Sequence, residues 1–131
     1  MRVLVPVDGS ECSMRALGFA ADFVCRFDAT LDVVHFTDSP GADTERLAEQ
    51  VSNVLESEGL DGDTEVIGDV RLGNLKASDQ VGKDILGLVE ERGYDHVVMG
   101  HHGTGRIGKL LLGSAANTVS KSGTVPTTIV P

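Results

Sequence analysis

The chain has 131 residues, with 11 Lys and Arg against 20 Asp and Glu, a formal net charge of −9 and 40% hydrophobic residues. That length and apolar content fit one globular domain, too short for two, and argue against disorder. The acidic balance opposes any general affinity for nucleic acid or anionic membrane, which need a basic footprint, and no stretch approaches the roughly 18 consecutive apolar residues of a membrane-spanning helix.

Val3–Val7 is a short apolar run suited to a strand buried on both faces. The apolar run is too short for the h-region of a signal peptide, so a cytoplasmic protein is expected. Asp8-Gly9-Ser10 ends the strand, and Ser10 is placed to cap a helix through about Phe27. Met14, Leu17, Ala21 and Val24 form one helical stripe and read as core. Leu31–Phe36 reads as a second strand, followed by a turn-rich loop at Asp38–Gly41. Thr44–Glu58 has the helical period, with Leu47, Val51, Val54 and Leu55 on one face and Gly59 as a stop. Thr64–Ile67 is a short third strand, and Gly68–Ser78 is irregular. Asp79–Arg92 is a third helix, with Val81, Ile85, Leu88 and Val89 inward, stopped by Gly93. His96–Met99 is a fourth strand, Gly100–Gly113 is glycine-rich, Ser114–Lys121 is a short helix, and Val125–Val130 is a last strand.

Apolar strands alternating with helices predict a parallel sheet with helices on both faces. Ligands of such sheets sit at the carboxyl ends of the strands, where the winding direction switches. The residues that follow each strand are therefore the ones that matter: Asp8, Phe36 and the stretch from Gly100.

That stretch, Gly100 to Ser114, reads GHHGTGRIGKLLLGS and admits three phosphate-binding readings. Gly103 to Lys109 fulfils G-x-x-x-x-G-K, but Leu110 follows where a P-loop carries the hydroxyl that coordinates magnesium. Gly103 to Gly108 fulfils G-x-G-x-x-G, but it follows the fourth strand rather than the first, and no acidic residue occurs after Asp95. The third reading takes Gly100, Gly103, Gly113 and Ser114 together as G-x2-G-x9-G-S.

That last pattern resembles the nucleotide-binding motif of the universal stress protein family. The resemblance extends along nearly the whole chain. VLVPVDGSECSMRAL is similar to the family's first strand and turn, VVHFTD to its second strand, and YDHVVMG onward to its closing half. The stretches 41–62 and 68–78 align only weakly. The resemblance implies one domain over residues 1–131, a Rossmann-like three-layer α/β fold with a five-stranded parallel sheet in the order 3-2-1-4-5. It also implies a cytoplasmic, ATP-binding module that senses nucleotide in a stress response, with Mg2+ or Mn2+ able to accompany the phosphates. Gly100, Gly103, Gly113 and Ser114 would hold the ribose and phosphates. Asp8 matches the acidic position near the adenine and ribose, with Pro6 and Val7 before it as further binding candidates, Phe36 lies beside the adenine, and Met99 and Ala115 flank the motif. The family commonly dimerises through its last strand, so a homodimer through Val125–Val130 is expected.

Physical chemistry supports these assignments. Glycine lets backbone amides approach a phosphate, and the opening of a helix at Gly113-Ser114 favours an anion. Such amides attract phosphate without formal charge, so a net charge of −9 is no obstacle. Arg106 and Lys109 would add local positive charge, or are simply solvated. Blander roles exist for each of the others: the glycines as turn residues, Asp8 and Ser114 as helix caps, Phe36 as core. His101 and His102 sit in the motif and are better placed beside a phosphate than as metal ligands. No nucleophile with a nearby base or paired carboxylates stands out, so binding without catalysis, or slow ATP hydrolysis at most, is expected. A family member that binds no nucleotide and acts as a dimeric interaction module is the alternative.

Cys12 and Cys25 are 13 residues apart, which on one helix is roughly 20 Å along the axis and about 220° around it. They cannot pair within the chain, so free thiols are expected, and a redox role for either is a distant further reading. Finally, 12 Asp outnumber 8 Glu, and 4 Lys are fewer than 7 Arg. Short carboxylates with few lysines suggest a halophilic surface, hydrated in concentrated salt, against the plainer reading of an ordinary acidic protein.

Overall fold

The computed structural model describes residues 1–37, 41–60, 64–68, 77–103 and 112–131. Strands and helices alternate along the chain: β1 (Arg2–Pro6), α1 (Glu11–Phe27), β2 (Thr30–Thr37), α2 (Ala42–Ser57), β3 (Thr64–Gly68), α3 (Ala77–Arg92), β4 (His96–Gly100), α4 (Ser114–Lys121) and β5 (Thr127–Val130). The five strands form one sheet in the order β3-β2-β1-β4-β5, as the resemblance implies. Every neighbouring pair is parallel. The order reverses between β1 and β4, and this places the end of β1 beside the end of β4.

Alternation along each strand sorts the core into two layers. Val3, Val5, Val7, Val33 and Val98 face α1 and α2, where Ala16, Leu17, Ala20, Val24, Leu47, Val51 and Leu55 meet them. Leu4, Val34, Val97 and Met99 face α3 and α4, against Ile85, Leu88, Val89, Ala116 and Val119. Of the stripe expected on α1, Leu17, Ala21 and Val24 are buried, and Met14 packs partly buried at the margin. Small residues bring elements close. A Cβ at Gly82 of α3 would stand 2.6 Å from the Thr118 Cβ of α4, nearer than any real contact.

Ser10 caps α1 as its sequence position predicts, its hydroxyl accepting from Ser13 N–H. Several boundaries differ from expectation. The first strand is Arg2–Pro6 rather than Val3–Val7: Arg2 pairs with Thr30, while Val7, just past the strand, gives its N–H to the Val34 carbonyl at 2.8 Å. The last strand starts at Thr127 rather than Val125, because Pro126 has no N–H to donate. α2 and α3 begin earlier than expected, at Ala42 and Ala77. Gly59 and Gly93 follow their helices with φ of +72° and +69°, the left-handed conformation of a helix stop.

At the amino ends of the strands a polar network ties the sheet to α3. Tyr94 donates its hydroxyl to Asp32 at 2.7 Å, and the Arg2 guanidinium lies over the Tyr94 ring, 4.7 Å from its centre. Arg2 also pairs with Asp32 at 2.9 Å, and Arg92 of α3 pairs with Glu65 of β3. Burial, together with the hydrogen bond to Asp32 and that residue's charge, pushes the Tyr94 phenol up to about 12.

Candidate functional site

The turn after β1 is built by short side chains bonding to backbone. Asp8 Oδ1 accepts the Ser10 N–H at 2.9 Å, and the Asp8 N–H donates to Ser13 Oγ at 3.3 Å. Asp8 therefore closes the turn that leads into α1, the blander of its two roles, and it does so with one oxygen. Its other oxygen lies towards β4: a Cβ built on Gly103 would stand 2.5 Å from Asp8 Oδ2. Two residues far apart in sequence thus share one place, because β1 and β4 are neighbours.

The glycines of the motif do different work. Gly100 ends β4 against the first turn of α1, where an added Cβ would lie 2.9 Å from the Cys12 Cβ, the Cys12 carbonyl carbon and the Ser13 nitrogen. Its missing side chain is a condition of packing. Gly103 faces the Asp8 carboxylate. Gly113 closes the far end of the loop: its N–H donates to the His101 carbonyl at 2.8 Å, and a Cβ there would be 3.0 Å from His102 Cα. Gly113 is also the N-cap of α4, with no side-chain cap bond. Ser114 is the first helical residue, not the cap. The cap position passes to Gly113 because its carbonyl accepts the Asn117 N–H at 2.8 Å. The N–H groups of Ser114, Ala115 and Ala116 then lack partners within the helix, which makes an anion-attracting end.

The flanking candidates lie in the sheet and in the apolar layers on its two faces. Pro6 is the last residue of β1, paired with Val34. Val7 is buried, and its carbonyl accepts from His35 Nδ1 at 2.8 Å. Met99 is buried, and Phe36 and Ala115 are partly buried in the same apolar layer. Phe36 is therefore partly core. Arg106 and Lys109 lie outside the described residues, as does most of the G-x-x-x-x-G-K stretch.

The sequence reading missed Cys12 and His102 as neighbours. His102 Nε2 lies 3.4 Å from Cys12 Sγ, and Arg15 Nη2 donates to the same sulfur at 3.4 Å. Only the adjacency of β1 and β4 brings the start of α1 to the glycine loop, and spacing along the chain carries no sign of it. Both cysteines are free thiols, Cys12 buried and Cys25 exposed.

The model of the Universal stress protein family matches residues 1–131. A universal stress protein of Methanocaldococcus jannaschii is 28% identical over 137 residues, covering 98% of this chain and 81% of that protein. Among solved structures, a universal stress protein in complex with cAMP superposes with a TM-score of 0.77 at 21% identity, over 99% of this chain and 95% of the other. The universal stress protein of Archaeoglobus fulgidus in complex with dAMP gives 0.73 at 19% identity, over 100% and 98%. At such identities the two structures establish the fold alone. With a family match over its full length and this sheet order, the chain belongs to the universal stress protein family.

Proposed function

We propose that this protein binds ATP at the carboxyl ends of β1 and β4 and works as a cytoplasmic nucleotide-sensing module of the stress response. The observation that carries the reading is the meeting of Asp8, Gly103 and the uncapped start of α4 in one place. The amides of Ser114 to Ala116, which have no partners within the helix, suit phosphate oxygens. The Asp8 carboxylate suits the hydroxyl donors of a ribose, and Phe36, partly buried and beside the adenine in the family resemblance, suits a purine. Support comes also from the structural relatives that hold dAMP and cAMP. Among the described residues there is no group of three metal-ligating side chains, so a Mg2+ or Mn2+ ion in this reading travels with the phosphates. In this reading ATP is held, and hydrolysed slowly at most. The module forms a homodimer through β5, an edge strand half-buried along its length, and such an edge is a template for pairing.

The test is mass spectrometry of small molecules released from the purified protein by denaturation. Co-purified ATP supports the reading. Protein that carries none and takes up none from a millimolar ATP solution contradicts it.

A further inference from the structure

Beside the glycine loop lies a second chemical arrangement, which the nucleotide reading does not use. His102 Nδ1 is 3.0 Å from the Gly103 carbonyl. A carbonyl only accepts, so Nδ1 carries the proton in the neutral ring, and Nε2 is left as an acceptor. That acceptor faces Cys12 Sγ at 3.4 Å. The pair is thus a thiol donating to a base that a third group orients, the arrangement of an activated nucleophile. Arg15 Nη2 donates to the same sulfur at 3.4 Å. Cys12 also sits in the first turn of α1. Guanidinium and helix terminus both stand where negative charge develops as the proton leaves.

We infer that Cys12 is a peroxide-reactive thiol, with His102 as its base and Arg15 as the stabiliser of its thiolate. The Cys12 proton passes to His102 Nε2, and the thiolate attacks one oxygen of a hydroperoxide. A sulfur–oxygen bond forms as the oxygen–oxygen bond breaks. The departing alkoxide or hydroxide takes the proton from His102 and leaves as alcohol or water. Sulfur loses two electrons to the peroxide and becomes a sulfenic acid, which a thiol reductant returns to the thiol. The residue is only 1% exposed, so the site selects small hydroperoxides over bulky thiol reagents. The new oxygen enters a tight place, since Gly100 is packed against Cys12. It displaces His102 and with it the start of the glycine loop. Resting on the nucleotide reading, this makes oxidation a control of ATP affinity.

Cys25 is the internal reference: it is exposed, and its sulfur donates to the Glu58 carbonyl at 3.8 Å. The native, nucleotide-free chain is treated with hydrogen peroxide, quenched into denaturant with dimedone, and read peptide by peptide by mass spectrometry. Cys12 is expected to react at least tenfold faster than Cys25, and a bulky maleimide is expected to show the opposite order. In denaturant the two thiols should react alike. His102→Gln should remove most of the Cys12 advantage. Peroxide reacting with Cys12 no faster than with Cys25 overturns the inference, as does an advantage that persists in His102→Gln. No nucleotide enters this measurement, so its failure leaves the ATP reading untouched. In a separate arm, the oxidised protein should bind ATP about tenfold more weakly and recover with reductant. Unchanged affinity overturns the coupling alone.

Discussion

Gly100, Gly103 and Gly113 share one motif and three different physical situations. Adding a methyl group at Gly100 drives it into backbone and Cβ atoms of α1 at 2.9 Å, and overpacking of this kind costs about 1–3 kcal/mol. At Gly103 the obstacle is the end of the Asp8 side chain, which can rotate. Gly100→Ala should therefore lower the urea midpoint clearly. Gly103→Ala should leave it nearly unchanged while weakening ATP binding at least tenfold. Equal loss of stability in both variants would show that the distinction is wrong. The sequence spacing singled out these glycines but assigned Gly100 and Gly103 one cause, approach to phosphate. Only three-dimensional neighbours separate packing from binding. Cys12 is the sharper case: as a sequence position it is one free thiol among two, and the fold makes it the partner of His102.

The elements themselves were largely readable from apolar period and stop signals. The errors fall at their ends, where a ladder bond or a missing proline N–H decides the boundary. Asp28, which ends α1 with φ of 51°, shows what local pattern does not reveal. A side chain in the left-handed region costs roughly 1–2 kcal/mol, less for Asp than for most residues. Asp28→Gly should accordingly stabilise the protein by about 0.5–1 kcal/mol, read from thermal or urea unfolding. A lower midpoint would contradict the account of this cap. The network that joins β1, β2 and α3 makes a pH prediction. The Tyr94 phenol is raised to about 12 in the fold, against about 10 in an unfolded chain. The folded state then holds a proton that the unfolded state loses. The resulting stability is present in full below pH about 10 and falls as pH rises towards 12. Unfolding midpoints between pH 9 and 12 should show that decline, and Tyr94→Phe should flatten it. An undiminished slope in the variant would place the titration elsewhere.

At the scale of the whole molecule, periodicity predicts a parallel sheet with two helical layers but does not order its strands. The order 3-2-1-4-5 followed from family resemblance, and it is the order that unites Asp8 with Gly103. The net charge of −9 makes a claim at this scale too. If the surface is adapted to concentrated salt, screening of like charges to within about 3 Å should raise the urea midpoint from dilute to multimolar KCl. A midpoint that falls would rule the adaptation out. The edge strand β5 predicts a homodimer by light scattering at micromolar concentration, and a monomer there would refute pairing through β5.

The proposed ATP site joins the ends of β1 and β4 to the start of α4. Its most direct test is calorimetric titration of ATP into nucleotide-stripped protein, beside the Gly113→Val variant, in low and high salt. A Cβ on Gly113 would stand 3.0 Å from His102 Cα, so valine there pushes apart the two ends of the loop. Roughly micromolar affinity, about −8 kcal/mol, is expected for the natural chain and none measurable for a variant that still folds. No heat from the natural chain at either salt concentration, or equal binding by the two proteins, would contradict it.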